Sequence, residues 1–139
     1  MRILAHLREL DEYQKDWERY QTISLEDLRD REKRNMVLHA MLVGIQAAID
    51  IATSLIAKED LEKPTTYREA FEILGQAGLI PEELAEELSD LAGFRNVLVH
   101  VYWQLDLDQV YGVLQNDLKT LKSFLQEVKE LLGQDSFFE

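Results

Sequence analysis

Two stretches of this chain place apolar residues at alternating steps of four and three, the spacing that turns one side of a helix toward a helical partner. Leu38, Leu42, Ile45, Ile49, Ala52 and Ile56 form the first seam. Leu84, Leu88, Leu91, Arg95, Leu98, Tyr102 and Leu105 form the second, with a charge in one of its slots. Six glycines and two prolines in 139 residues fit long helices joined by few turns. Helix-start and helix-stop signals divide the chain into five segments. The first spans Arg2 to Tyr20, with Ile3, Leu7, Leu10, Trp17 and Tyr20 on one stripe. The second opens on Ser24 as N-cap, with Asp27 three residues on, and lasts to Ala57. A polar connection, Lys58 to Thr65, leads to the capping box Thr66-x-x-Glu69, after which Tyr67, Phe71 and Leu74 share a face until Gly75 and Gly78. Pro81 suits the first position of the fourth helix. The fifth starts at Asp106, with Gln109 completing its box, and ends at Gly133. The expectation is an all-α, up-and-down bundle of about five helices forming one domain over residues 1–133, with residues 134–139 as a frayed tail.

Composition narrows the function classes. The chain is 46% apolar and 30% charged, a globular balance. No apolar run approaches the roughly 20 residues of a membrane span, and the N-terminus lacks the plan of a signal peptide, so a cytoplasmic protein without membrane contact is expected. Having no cysteine, it can form neither disulfides nor thiolate zinc sites. Histidines 6, 39 and 100 do not make a metal cluster, and neither a Gly-rich phosphate loop nor an HExxH pair is present; no cofactor and no metal are expected. A net charge of −12 speaks against non-specific duplex binding. The charge is uneven: residues 1–36 carry eight Lys/Arg against nine Asp/Glu, and residues 37–139 carry seven against eighteen. Arg29, Arg31, Lys33 and Arg34 form the one basic cluster, either a solvated helix face balanced by Asp27, Asp30 and Glu32 or a docking patch.

Arg95 is the misplaced charge. An unpaired guanidinium in a core costs several kcal/mol, so its slot implies a carboxylate partner, a subunit interface or a wet cleft. His100 follows five residues later and on an ideal helix points about 140° away. The plainer readings are a structural ion pair for Arg95 and a hydrogen-bonded core histidine for His100. Asp50, mid-helix among Ile49, Ile51 and Ala52, is available to pair with Arg95 or orient His100, and Gln46 and His39 share its face. Trp103 reads as a packing residue. The run Glu82, Glu83, Glu86, Glu87 reads as a solvated face at the positive end of a helix.

RNVLVHVYW at 95–103 carries Arg-x4-His-x-Tyr and resembles the signature of the HEPN superfamily, specifically its HepT toxin branch. FRNVLVHVYWQLD at 94–106, TYREAFEILGQAGLIP at 66–81 and IQAAIDIA at 45–52 are similar to HepT segments in the same order. The resemblance implies a HEPN-like homodimeric bundle with metal-independent ribonuclease activity, a toxin of a two-gene toxin–antitoxin module. It implies that His100 is the acid/base in attack of a ribose 2′-hydroxyl on the adjacent phosphate and that Arg95 stabilises the phosphate; imidazole chemistry and the planar guanidinium fork suit those tasks. Asn96 either supports the phosphate or imidazole or is an exposed helix residue. It further implies RNA as substrate and a minimal nucleotidyltransferase antitoxin as partner, which transfers AMP to Tyr102. The family pattern often has an acid where Gln46 stands. The alternative is a non-catalytic helical adaptor that binds a nucleotidyltransferase and nucleotide or RNA, a reading the −12 charge favours.

Overall fold

The computed structural model describes residues 2–133, except for the side chain of Tyr102. Six α-helices follow one another: α1 (Arg2–Arg19), α2 (Arg31–Lys58), α3 (Tyr67–Gln76), α4 (Glu82–His100), α5 (Leu107–Asn116) and α6 (Leu118–Leu132). No strand occurs among the described residues. The expected tail, 134–139, lies outside the described residues. α2 is the central element, flanked by α1, α3, α4 and α6. Its seam residues Leu38, Ile45, Ile49, Ala52 and Ile56 are all buried. Trp17, Phe71 and Phe124 are the largest fully buried side chains, the two phenylalanines meeting edge to face at 5.6 Å. The Trp17 indole N–H donates to the Leu114 carbonyl at 2.9 Å, tying α1 to α5.

Three boundaries differ from the sequence reading. Ser24 does form a capping box: its hydroxyl accepts from the Asp27 N–H at 3.2 Å, and the Asp27 carboxylate accepts from the Ser24 N–H at 3.0 Å. That backbone bond, helped by Lys33, holds the Asp27 carboxyl below its ordinary value. What the box caps is only the 3-10 turn Glu26–Arg29; α2 starts at Arg31, with Asp30 accepting from the Lys33 N–H at 2.9 Å. Pro81 is the N-cap of α4 rather than its first residue. The expected fifth helix is two, broken at Asp117, so the bundle has six α-helices instead of about five. The N-caps at Thr66 and Asp106 stand where expected, Thr66 accepting from the Glu69 N–H and Asp106 from those of Asp108 and Gln109; the return bond of the first box goes from the Thr65 N–H to Glu69, one residue early. Gly133 closes α6 in the left-handed region at φ 67°.

α2 also corrects the expectation about apolar runs. It is long and apolar enough to span a membrane, with a window of mean hydropathy 1.8. Most of that window, 61%, is buried against the rest of the protein, and the helix carries Gln46 and Asp50 on one side. Its apolar surface is consumed by the bundle core.

Two turns shape the site. At the end of α2, Asp60 takes a positive φ of 54°, and the Leu61 N–H reaches back to the Ile56 carbonyl at 2.9 Å. This left-handed step sends the connection 61–66 back across the end of α2. The chain then enters α3 through Thr66, where Glu69 also accepts from the Thr65 N–H and hydroxyl, at 3.1 and 3.2 Å. The second turn is the end of α4. Val101, at φ −126° and ψ 36°, leaves the helical region. The seam expected to continue through Tyr102 to Leu105 therefore stops at His100, and Tyr102–Gln104 forms a 3-10 turn.

Candidate active site

Beneath the 61–66 connection lies a groove of about 780 Å³. α2 contributes Thr53, Ile56 and Ala57 to its wall; the connection adds Leu61, Lys63, Pro64, Thr65 and Thr66; Tyr67 enters from α3 and Arg95, Asn96 and His100 from α4. Arg95, Asn96 and His100, singled out in the sequence, thus share one cavity within one chain. The 140° offset between Arg95 and His100 is accommodated because the groove wraps the end of α4, taking Arg95 from the helix side and His100 from its last residue. His100 is exposed, which rules out the core-histidine reading.

Arg95 is half-buried, and its partners among the described residues are neutral. Its Nε–H donates to Gln46 Oε1 at 3.1 Å, and a terminal nitrogen donates to Asn96 Oδ1 at 3.3 Å. The guanidinium carbon sits 5.0 Å from the centre of the Tyr67 ring, within range of a cation–π contact. Asp50, expected to pair with Arg95 or orient His100, does neither directly. Its carboxylate accepts from Gln46 Nε2 at 3.0 Å, so Gln46 stands between acid and guanidinium and holds both. The expected structural ion pair of Arg95 is absent among the described residues. Its seam slot faces a wet cleft.

The electrostatics follow from this lining. Two cations, Arg95 and Lys63, face the groove, and no carboxylate lines it among the described residues. In a chain of net charge −12 the charges on this lining are positive, with the nearest carboxylates held behind it, Glu69 on Thr65 and Asp50 on Gln46, an arrangement that suits an anion. A planar guanidinium fixed at one edge leaves terminal N–H donors for two oxygens of a phosphate, the geometry in which arginine is most selective. No group of three His, Asp or Glu side chains that could hold a metal occurs among the described residues. The backbone of Tyr102 lies in the 3-10 turn; its side chain, the expected AMP acceptor, is outside the described residues.

Three contributors were not anticipated in these positions. Tyr67, expected to face the core with Phe71 and Leu74, is 38% exposed and lies against Arg95. Gln46 bonds Arg95 directly; its place on the Asp50 face, at a position the family pattern often gives to an acid, signals polar support without naming the partner. Lys63 gave no signal, because a lysine in a polar connection has no periodicity to violate. His39, exposed on α2, lines a separate small cavity with Leu38, Leu42 and Leu98. Trp103 is 75% exposed and does not pack in the core as expected. The helix ends before it, and the 3-10 turn that carries it leaves the indole outside the core.

Comparison with known proteins identifies the family. A 29% identical relative from Aphanizomenon flos-aquae, a tRNA nuclease HepT, aligns over 131 residues, 94% of this chain and 89% of its own. An mRNA nuclease HepT from Shewanella oneidensis is 36% identical over 84 residues, 60% of this chain; the alignment spans 63% of that relative's length. Among solved structures, the tri-AMPylated Shewanella oneidensis HEPN toxin in complex with its MNT antitoxin superimposes with a TM-score of 0.83 at 27% identity. That match covers 92% of this chain and 96% of the toxin. The ribonuclease HepT-like family model matches residues 3–128, and the chain belongs to that family of HEPN-type ribonucleases.

Proposed function

We propose that this chain is the RNA-cleaving toxin of a two-gene toxin–antitoxin module and that the groove under the 61–66 connection is its active site. The observation that carries the reading is the state of Arg95: a half-buried guanidinium whose partners among the described residues are all neutral, sharing with an exposed imidazole a groove that no described carboxylate lines. Such a pair suits phosphodiester transfer. His100 takes the proton of a ribose 2′-hydroxyl as its oxygen attacks the adjacent phosphorus, the bond to the 5′-oxygen breaks, and an imidazolium returns a proton to that leaving oxygen. The products are a 2′,3′-cyclic phosphate and a 5′-hydroxyl. Arg95 holds the phosphate oxygens as charge builds on them; Asn96, bonded to it, keeps it turned into the groove, and Asp50 acts through Gln46. A homodimer supplies two imidazoles to one RNA-binding face, one as base and one as acid. The structural neighbour that is tri-AMPylated and bound to an MNT antitoxin supports a nucleotidyltransferase partner for this chain too, with Tyr102, two residues past His100, as the acceptor.

The test is cleavage of single-stranded RNA in excess EDTA, followed by end-group analysis. Cyclic phosphate ends are expected, lost in Arg95→Ala and His100→Ala proteins that retain their helical circular dichroism. Sedimentation is expected to show a dimer. Tyr102→Phe is expected to keep cleavage and lose both AMP labelling and neutralisation by the partner enzyme. Activity restored only by added metal would reject the mechanism. Full activity in either alanine variant would move the site elsewhere, and a folded dimer that binds its nucleotidyltransferase but cuts no RNA would favour the adaptor reading.

A further inference from the structure

Trp103 has the most exposed of the large apolar side chains among the described residues, at 75%, and it lies only three residues beyond His100. It projects from the 3-10 turn Tyr102–Gln104, which is closed by the Gln104 N–H on the Val101 carbonyl at 2.8 Å. Beside the indole is a cavity of about 270 Å³ whose other walls are Leu105, Leu107 and Arg34. An aromatic face, an aliphatic floor and a guanidinium at the rim together suit one planar base carrying a phosphate. The cavity is too small for a helix.

The basic cluster of the sequence divides here. Arg29 and Lys33 are balanced by Glu26 and Asp27, at 3.7 and 3.3 Å. Arg34 is different: one terminal nitrogen donates to the carbonyls of Leu28 and Arg29, at 3.1 and 3.3 Å. That anchor fixes the side chain while the rest of its fork has no partner among the described residues. Arg31, one turn earlier, is exposed and has no ion pair among the described residues. The nearby acid Asp106 turns an oxygen onto the N–H groups of Asp108 and Gln109, at 3.0 and 3.3 Å.

We infer that Trp103 and Arg34 form a subsite for one unpaired nucleotide of the RNA substrate, flanking the nucleotide cut at the Arg95–His100 groove, with Arg31 assisting at the backbone. The base stacks on the indole and the guanidinium meets a phosphate. Stacking of this kind discriminates single strands from duplexes, whose bases are already stacked. This assignment rests on the ribonuclease reading for its substrate, and it makes the subsite a determinant of KM rather than of the chemical step.

The chain has two tryptophans, and Trp17 is fully buried, so quenchable emission reports Trp103. The full-length protein is titrated with a cleavage-resistant 2′-O-methyl oligonucleotide, and single-stranded RNA cleavage is measured for wild type, Trp103→Ala, Trp103→Phe and Arg31→Ala. The oligonucleotide is expected to quench the exposed tryptophan and shield it from acrylamide. Trp103→Ala is expected to raise KM about 10-fold, as loss of one base–aromatic stack does, with kcat nearly unchanged; Trp103→Phe should recover most of the loss, and Arg31→Ala should weaken binding and flatten its salt dependence. Unchanged KM in Trp103→Ala, with wild-type cleavage intact, overturns the subsite and leaves the ribonuclease reading standing. Quenching by the oligonucleotide in a protein that cuts nothing rejects the ribonuclease reading and supports the nucleotide subsite. A Trp103→Ala protein that sediments as monomer where the wild type is a dimer assigns the indole to a second copy and overturns the inference.

Discussion

Gln46 is the side chain on which the arrangement of Arg95 turns, and replacing it by leucine tests that directly. The substitution preserves approximate volume and removes two hydrogen bonds, one to Arg95 Nε at 3.1 Å and one to Asp50 at 3.0 Å. A hydrogen bond to a charged group contributes about 1.5–3 kcal/mol when buried. Arg95 and Gln46 are both half-buried, water competes for their donors and acceptors, and about 1 kcal/mol of stability is expected to be lost in Gln46→Leu. Under the proposed mechanism the consequence for activity is misorientation of the guanidinium assigned to the phosphate in the transition state. About 1.4 kcal/mol of lost transition-state stabilisation is a tenfold fall in rate, and a loss of about that size in kcat/KM is expected, well short of that in Arg95→Ala. Urea unfolding of Gln46→Leu, Arg95→Ala and the double variant closes a thermodynamic cycle. A coupling of about 0.5 kcal/mol or more is expected for groups in direct contact. Additivity of the two changes, or a Gln46→Leu protein with wild-type kcat/KM, would refute the claim that Gln46 positions Arg95.

Two further outcomes follow from packing and charge. Gly75→Ala places a Cβ 2.7 Å from that of Ala85, where α3 and α4 touch; alanine's better helix propensity is outweighed by overpacking, and a loss of about 1–3 kcal/mol in unfolding free energy is expected, a gain in stability being the contrary result. Asp117, partly buried and facing Glu87 and Asp90, has its carboxyl raised above the ordinary value of 3.8, burial being the main cause. The native state therefore binds its proton more tightly than the unfolded chain, and the ionised carboxylate opposes folding at neutral pH. Asp117→Asn is expected to raise the thermal midpoint at pH 7, with the advantage shrinking as pH falls through the raised value and vanishing below the unfolded one; an advantage equal at pH 7 and pH 3 would show that charge is not its source.

Much of this architecture was legible because the signals are local. Thr66 and Asp106 accept from the first turns of their helices, as N-caps at those positions should, and the α2 seam is buried where its spacing puts it except at Leu42, which is partly buried. What escaped has physical causes. Val110, Leu114, Leu118, Leu121 and Leu125 keep steps of three and four straight across Asp117, so apolar period cannot disclose the break between α5 and α6. The same holds at Val101: Leu98, Tyr102 and Leu105 continue the seam in spacing while the backbone leaves the helix. Ser24 satisfies its box with a 3-10 turn, which uses the same residues as a helix start. At the candidate site, the motif singled out Arg95 and His100, which share one groove, but the insertion of Gln46 between Asp50 and Arg95 is a tertiary fact, since the two helices meet 49 residues apart in sequence.

That insertion bears on how so acidic a chain can handle a polyanion. Had Asp50 paired with Arg95, the guanidinium charge would be cancelled within the protein, and an incoming phosphate would have to displace a carboxylate and leave it unpaired. With an amide between them, Arg95 is oriented without being neutralised: Gln46 accepts from its Nε, Asn96 from one terminal nitrogen, and Tyr67 offers a ring face. The acidic excess is carried elsewhere, on exposed positions such as Glu82, Glu83, Glu86 and Glu87 of α4, at the end of that helix away from His100. At the groove itself a phosphate meets Arg95 and Lys63, while the carboxylates behind the lining, Asp50 and Glu69, have oxygens held by Gln46 and Thr65. The net charge of the chain thus sets its repulsion from nucleic acid at large, while binding at the site depends on which charges the lining leaves uncompensated.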